Sequence, residues 1–416
     1  MEIQQGLRNF ARCCYHAARN AIRYLRGYPL RTPPLSSVTI DLDDVDIAKK
    51  LLRDRSLWDN QQILEEYQDK FAAWNGSRFA FAFMGGRVAL SAAIHALGLK
   101  PGDEVILPGY TCIVVPNAFN FEGIRIVHSD IELDTYGLDA SALEAKISSA
   151  TKAILLHHLY GLVCRDYEQI IKIARRHGLY VIEDCAQSTG AIYKGKKVGN
   201  LGDVAIYSSE QSKVFTTIQG GMLCTNDETI ASRVADYYEG APYPSTERTE
   251  NLLWNILINY YAFKAPGQWW KGDVMQLILG SKIQISTTDE ELRGIKPKHY
   301  GCKMPPALAY VGLNQLKKID FYNEERRRIA AKWDMWCEDN GYRKPLVIEN
   351  SKPIYLRYPV LVEPEKKSDT RWALRELGVE IGRWFLGNYH PINVDIPDCP
   401  NADRAVRCCI NFPTAR

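Results

Sequence analysis

Val105-Ile106-Leu107-Pro108, Ile124-Arg125-Ile126-Val127, Ala153-Ile154-Leu155-Leu156 and Tyr180-Val181-Ile182-Glu183 are four short apolar runs within the stretch from Phe79 to Asn226. Each is short for a buried helix and of ordinary length for a buried strand. Segments with helical spacing, such as Asp139–Lys146 and Tyr167–His177, lie between them. Strands alternating with helices build βαβ units and a mostly parallel sheet. Such sheets bind ligands at the carboxyl ends of their strands, where loops and helix N-termini converge. Chemistry is therefore expected in the residues that follow each run.

After the fourth run comes Glu183-Asp184-Cys185-Ala186-Gln187. A carboxylate at the edge of a buried strand is costly unless it meets a positive partner. A lone Asp there is more often an N-cap or half of a structural ion pair. A further strand, Val204–Tyr207, changes that balance, because it leads into Ser208 and then Lys213, followed by Gly220-Gly221. Upstream, Met84-Gly85-Gly86-Arg87 follows the run Phe79–Phe83 and opens a helix that continues through Leu97. Free N–H groups at such a helix start suit a phosphate, although a Gly-Gly pair alone is more often a tight turn. Pyridoxal phosphate asks four things of a protein. They are an imine-forming lysine, a carboxylate for the pyridine nitrogen, small residues and N–H groups for the phosphate, and a planar cover for the ring. The first three are present.

The order Gly85-Gly86-x-x-Ala89-Leu90, Pro101-Gly102-Asp103-Glu104-Val105, His158-Leu159-Tyr160-Gly161, Glu183-Asp184-x-Ala186-Gln187, Ser208 with Lys213, and Gly220-Gly221 with Thr225-Asn226 resembles the DegT/DnrJ family of sugar aminotransferases. The resemblance covers residues 45–416 and is densest from 79 to 226. It implies an α/β protein of the fold-type I aminotransferase class, with a large domain on a mostly parallel sheet and a smaller C-terminal α+β domain. It further implies a homodimer that uses pyridoxal 5'-phosphate to move an amino group from an amino acid, L-glutamate in most members, to a nucleotide-linked keto-sugar. Carried over residue by residue, Lys213 holds the cofactor and moves the proton, and Asp184 faces the pyridine nitrogen. Gln187 lies near the 3-hydroxyl, and Ser208, Gly86 and the N–H of Arg87 hold the phosphate. Three departures stand out. Arg87 replaces a usual Thr, Cys112 occupies the place of the ring-covering aromatic so that Tyr110 or Cys112 takes that role, and Gly301 stands where a partner subunit's Asn commonly reaches the phosphate, with Lys303 nearby. Lys213 is retained where dehydrating relatives carry His. The alternatives are a catalytically idle regulatory or binding homologue on the same fold, or a membrane-associated aminotransferase acting on a lipid-linked sugar.

The 416 residues exceed one compact core. The expected division is an arm and linker over 1–40, a cofactor-binding domain over 41–238, an apolar, aromatic insert over 239–297 and a small domain over 298–416. The insert is densest at 251–280, where two short helices and a turn fit, and a single helix is expected over Leu308–Phe321 with a charged continuation to Arg328. A net charge of +3 and the lack of any nucleic-acid signature exclude that class of partner. The 11 cysteines contain no C-x-x-C pair, so neither a disulfide framework nor a metal site is expected. No apolar run approaches the ~20 residues of a membrane span, and arginines interrupt every apolar stretch of the N-terminus, unlike a signal peptide. A cytoplasmic protein is expected. Arg8, Arg12, Arg19, Arg23 and Arg26 alternate with apolar residues between Leu7 and Gly27 as in a basic amphipathic helix. Such helices more often pack on protein. The sharper alternative is peripheral contact with the inner face of a membrane through 1–27 and 251–280.

Overall fold

The computed structural model of the protein describes residues 39–264 and 287–415, together with Leu35, Lys271, Val274, Met275, Ile278 and Leu279. The basic helix expected over 1–27 and much of the 265–286 segment lie outside the described residues.

The central sheet has seven strands: β1 (Phe79–Phe83), β2 (Glu104–Pro108), β3 (Arg125–Ser129), β4 (Thr151–His157), β5 (Tyr180–Asp184), β6 (Val204–Ser208) and β7 (Gly221–Thr225). Their order is β1-β7-β6-β5-β4-β2-β3. β7 is antiparallel to both neighbours, and every other adjacent pair is parallel. The carboxyl ends of β1, β4, β5 and β6 and the amino end of β7 therefore meet at one edge. In register, Gly221 lies opposite Phe83 on one side and Ser208 on the other.

Side chains alternate across the sheet. Ile106, Ile154, Val181, Ala205 and Met222 enter one buried cluster, while Val105, Leu107, Leu155, Ile182, Ile206 and Leu223 enter another on the opposite face. Burial on both faces explains why these strands read as continuous apolar runs. Helix α1 (Gly86–Ala96) and helix α3 (Glu228–Gly240) cover the second face. Helix α2 (Tyr167–His177) buries Tyr167, Ile170, Ile173 and Ala174 against the first, carries Arg175, Arg176 and His177 in its last turn, and stops at Gly178 with φ of 63°.

A third cluster gathers Tyr110, Tyr160, Tyr358, Phe385, Cys409 and Phe412 around an antiparallel pair, Tyr358–Leu361 with Cys409–Phe412. Helix α4 runs Thr246–Phe263, and beyond it the described residues Lys271, Val274, Met275 and Ile278 are helical again, in line with two helices over 251–280. One helical expectation is corrected. The single helix through Leu308–Phe321 is broken into α5 (Pro306–Leu316) and α6 (Ile319–Asn340). The break at Lys317 lets Lys318 turn toward Asp41, Asp43 and Asp44, which ion-pair with its amine.

Glycine is required where β7 passes under the turn that opens α1. A Cβ on Gly221 would stand closer to the Gly85 carbonyl carbon and the Gly86 nitrogen than real Cβ atoms come, and both obstacles are backbone. At Gly240, the end of α3, a Cβ meets nothing within 4 Å. Gly221→Ala is therefore expected to lose about 1–3 kcal/mol of stability, while Gly240→Ala is unchanged or slightly more stable. Denaturant unfolding of both variants checks this, and equal stability would mean that the two backbones are not in contact.

Candidate active site

The converging strand ends enclose a cavity of about 820 Å³, within the roughly 300–1,000 Å³ of small-molecule sites. Gly86, Arg87, Cys112, Asp184, Gln187, Ser208 and Lys213 all line it. Seven of the eight residues singled out in the sequence are thus brought together from β5, β6, the start of α1 and the loops after the strands.

Neighbouring carboxylates at the end of β5 behave oppositely because a strand turns successive side chains to opposite faces. Glu183 points into the first core. Burial alone pushes its carboxyl up, but His158 and Tyr167 and the N–H of Gly202 outweigh that and hold it below the ordinary range. Further N–H groups reach it from Gly199 at 2.8 Å and Leu201 at 2.9 Å. The Cys164 N–H donates to His158 Nδ1 at 3.1 Å, so the ring proton resides on Nε2, which donates to Glu183 at 3.2 Å. Asp184 faces the cavity. Burial raises its carboxyl above the ordinary value, opposed by the Ala186 N–H and by the charge of Lys213. That N–H donates to Asp184 Oδ1 at 2.9 Å, and the other oxygen takes no hydrogen bond among the described residues. Such an acid is poised to meet a positive group in the cavity.

Lys213 Nζ lies 5.5 Å from the ring centroid of Trp384, another lining residue. Gln187 Oε1 accepts the Tyr160 N–H at 2.9 Å, which leaves its amide nitrogen as the group to offer the cavity. The Gly86 position touches Ser208: a Cβ there would be 3.3 Å from Ser208 Cβ and 3.2 Å from the Tyr207 carbonyl oxygen. The amides of Gly86 and Arg87, which open α1 without an intrahelical acceptor, and Ser208 thus line neighbouring parts of the cavity wall. This is an arrangement for an anion.

Arg87, which replaces the usual Thr, has its guanidinium engaged in an ion pair with Glu291, whose side chain is 4% exposed. Lys303 does not line the cavity. Its amine sits over Tyr243, 4.7 Å from the ring centroid. Tyr110 is corrected as a ring cover. It is fully buried in the third cluster, with its hydroxyl 2.8 Å from that of Tyr160 and accepting the Phe385 N–H at 2.8 Å. Cys112, which pairs with His390 where Tyr389–His390 runs parallel to Thr111–Cys112, lines the cavity. The same pairing delivers Trp384 and His390 to the cavity wall. His157, Arg248 and Trp384 were not foreseen as site residues. His157 ends β4, and the doubled His157-His158 was its one visible signal. His157 and His390 are both lowered to about 4, first by burial.

The family profile described as the DegT/DnrJ/EryC1/StrS aminotransferase family matches residues 40–416. A UDP-2-acetamido-2-deoxy-3-oxo-D-glucuronate aminotransferase of Pseudomonas aeruginosa is 41% identical over 318 residues, covering 76% of this chain and 74% of that one. A GDP-perosamine synthase of Caulobacter vibrioides is 44% identical over 173 residues, covering 42% of this chain and 46% of its own. A second, from Escherichia coli O157:H7, is 42% identical over 41% of this chain and 46% of its own. The match thus spans about half the length of these two curated relatives. Among solved structures, an aminotransferase from Psychrobacter cryohalolentis aligns with a TM-score of 0.70 at 25% identity, over 93% of this chain and 95% of that one. A DegT DnrJ EryC1 StrS aminotransferase from Brucella abortus aligns with a TM-score of 0.68 at 19% identity, over 90% and 91%, which is a likeness of fold. The architecture is that of the fold-type I aminotransferases.

Substitution of the adjacent carboxylates separates scaffold from site. The folded state favours ionised Glu183, so it adds stability above its ordinary range and loses it as pH falls through its depressed value. Asp184 has the reverse sign: its raised value means that ionisation at neutral pH opposes folding. Glu183→Gln is expected to destabilise cofactor-free protein by about 3 kcal/mol at pH 7, with the deficit shrinking toward pH 4. Asp184→Asn should be as stable as the parent or more so. Thermal unfolding at several pH values checks both, and a large loss in Asp184→Asn would contradict its assignment to an unpaired, cavity-facing position.

Proposed function

The chain belongs to the DegT/DnrJ/EryC1/StrS aminotransferase family, whose members depend in general on pyridoxal phosphate, and we propose that it is a pyridoxal-phosphate-dependent aminotransferase of amino-sugar biosynthesis. The observation that carries this reading is the meeting of Lys213 and Asp184 in one cavity, beside the anion-ready turn at Gly85-Gly86. L-Glutamate as donor, a nucleotide-linked keto-sugar as acceptor and a homodimer are the finer parts of the proposal. So is a division in which 41–238 holds the cofactor and 298–416 forms the smaller domain. The chemistry of the donor set fits the cofactor. Its phosphate matches the amides of Gly86 and Arg87 with the Ser208 hydroxyl, and a protonated ring nitrogen matches the unsatisfied Asp184 oxygen. When bound, pyridoxal phosphate supplies an electron-accepting ring that carries the amino group from one substrate to the other.

The remaining work falls to side chains. Asp184, held by the Ala186 N–H, would offer its free oxygen to the ring nitrogen, and a positive nitrogen there would counteract the burial that raises its carboxyl. Gln187, fixed by Tyr160, offers an N–H to an oxygen at the ring edge. Lys213 would hold the cofactor through its amine, and the same amine, when free, would move a proton at the substrate carbon. Neutral His157 and His390 add no competing charge. Retention of Lys213, Asp184 and Gln187 together favours activity over an idle homologue. The purified protein is expected to bind pyridoxal phosphate with a visible absorption band that Lys213→Ala abolishes. L-Glutamate should bleach that band in the parent and at least about 10³-fold more slowly in Asp184→Asn. Failure of the parent to bind the cofactor would defeat the proposal, and cofactor binding with no response to any amine would favour the idle homologue.

A second reading concerns location. No helix among the described residues is long and apolar enough to cross a membrane. Beyond α4, however, Ile278 is 72% and Val274 44% exposed, and Phe263 at the end of α4 is exposed as well. These side chains and the five arginines of the arm support peripheral contact with an anionic membrane at its inner face. Co-sedimentation with anionic liposomes is expected for the full chain and to weaken when residues 1–30 are removed. Equal binding of both, or of neither, would remove the arm from the account.

A further inference from the structure

Arg248 sits in the first turn of α4, half-buried at the wall of the cavity. Its guanidinium donates to Gln219 Oε1 at 2.9 Å and makes no other hydrogen bond and no ion pair among the described residues. Arg87 is placed differently. Its guanidinium is closed on one oxygen of Glu291, whose other oxygen accepts from the Thr288 N–H at 2.9 Å and from the Thr288 hydroxyl at 3.2 Å. Glu291 is therefore committed to Arg87 and to its own helix cap, and Arg248 keeps no counter-charge.

The turn that opens α1 fixes where this cation stands. Gln219, 7% exposed, precedes Gly221 by two residues, and the Gly221 backbone packs against that of Gly85 and Gly86. Arg87 follows in the first turn of α1, which carries no acidic side chain. A helix N-terminus is itself positive, so cations gathered there have the wrong sign for stability. Burial lowers the Arg248 guanidinium from its ordinary value, the charge of Arg87 adds to this, and Glu291 opposes it without prevailing. An arginine that merely solvates a rim would keep its guanidinium in water. Arg248 is instead tied to a buried glutamine, whose carbonyl sets the direction of the guanidinium without cancelling its charge. The isolated fold gains nothing from that charge, whereas an anion in the cavity does.

We infer that Arg248 is a phosphoryl-binding residue, whose free N–H donors join the amides of Gly86 and Arg87 and the Ser208 hydroxyl in holding one anion at the start of α1. This rests on the cofactor reading above and deepens it, by giving a residue of α4 a contact with the anionic end of what binds. A phosphoryl group has enough charge and enough acceptor oxygens to meet helix amides and a guanidinium together. By holding the Arg87 side chain, Glu291 leaves Arg248 as the cation available to it. Two molecules can bring such a group to this wall: pyridoxal phosphate through its own phosphate, and a nucleotide-linked sugar through its diphosphate. The tether from Arg248 through Gln219 to the glycine contact favours the cofactor.

The test titrates the full chain, freed of cofactor, with pyridoxal phosphate and with pyridoxal, which lacks the phosphate, following tryptophan fluorescence in the parent, Arg248→Met and Arg248→Gln. If the cofactor supplies the phosphoryl group, both variants raise the apparent Kd for pyridoxal phosphate roughly 10- to 100-fold, while that for pyridoxal changes less than about twofold. If the nucleotide supplies it, cofactor affinity is preserved, and the cofactor-loaded variants instead bind UDP or GDP roughly 10-fold or more weakly, with uridine and guanosine unaffected. Either result supports the inference. Equal loss of affinity for pyridoxal phosphate and pyridoxal would make Arg248 a prop for Gln219 and overturn it. So would variants that bind every one of these ligands as the parent does. Arg248→Gln, which can still hydrogen-bond to Gln219, decides the matter alone if Arg248→Met does not fold. A parent that binds no pyridoxal phosphate fails differently: it removes the cofactor reading of the cavity and this inference with it.

Discussion

Two backbones can run as close together as Gly221 and the Gly85-Gly86 turn only where neither carries a side chain. That contact makes β7 the neighbour of β1, brings β6 against the start of α1, and sets Ser208 and the amides of Gly86 and Arg87 in neighbouring parts of the cavity wall. The same antiparallel insertion places the loop between β6 and β7, with Lys213 in it, above the parallel strand ends where Asp184 projects. Remove the contact and the anion cradle, the lysine and the carboxylate lose their common edge. A sheet of this kind binds at its strand ends because backbone donors accumulate there, and here one close approach decides which donors they are.

The second constraint is the two-residue period of β5. Glu183 and Asp184 are adjacent in sequence and chemically alike, yet one is a scaffold anion with donors on every side and the other an acid with an open oxygen. Nothing intrinsic to the two carboxyl groups makes that difference. It comes from which face each occupies: a closed core holding His158 and Tyr167, or a cavity lined by Lys213. The tautomer of His158, set by the Cys164 N–H, completes the closed side.

Much of this was legible in the chain. The apolar runs announce a parallel sheet because both faces are buried, and the pairing of Asp184 with Lys213 announces a cofactor because the two residues follow neighbouring strands. Glycine pairs mark close approach. What could not be read was set by distant segments. Tyr110 and Cys112 are two residues apart, and only Tyr160 and Phe385, both distant in sequence, hold Tyr110 inward. Arg87 looks like a free cation until Glu291, far along the chain, closes on it. The helix from Leu308 looks continuous until Lys318 must reach three aspartates some 270 residues earlier. Trp384 and Arg248 gave no local signal at all, because nothing in Glu247-Arg248-Thr249-Glu250 says that the guanidinium will stand at a cavity wall.

Asp184 and Arg248 also share an energetic character that ties the site together. Burial disfavours the charged form of each, raising the acid and lowering the base. They do not relieve one another, since no ion pair joins them. A pair of opposite charges held apart at the cost of folding stability is what a site needs if its ligands bring a cation to one place and an anion to another. On the proposed reading, a protonated ring nitrogen would answer Asp184. The same reasoning accounts for the neutral histidines at the wall: with His157 and His390 uncharged at neutral pH, neither residue can satisfy its unpaired charge before the ligand arrives. On this view the site is held at some expense to the stability of the fold, and favours molecules whose charges complement its buried groups.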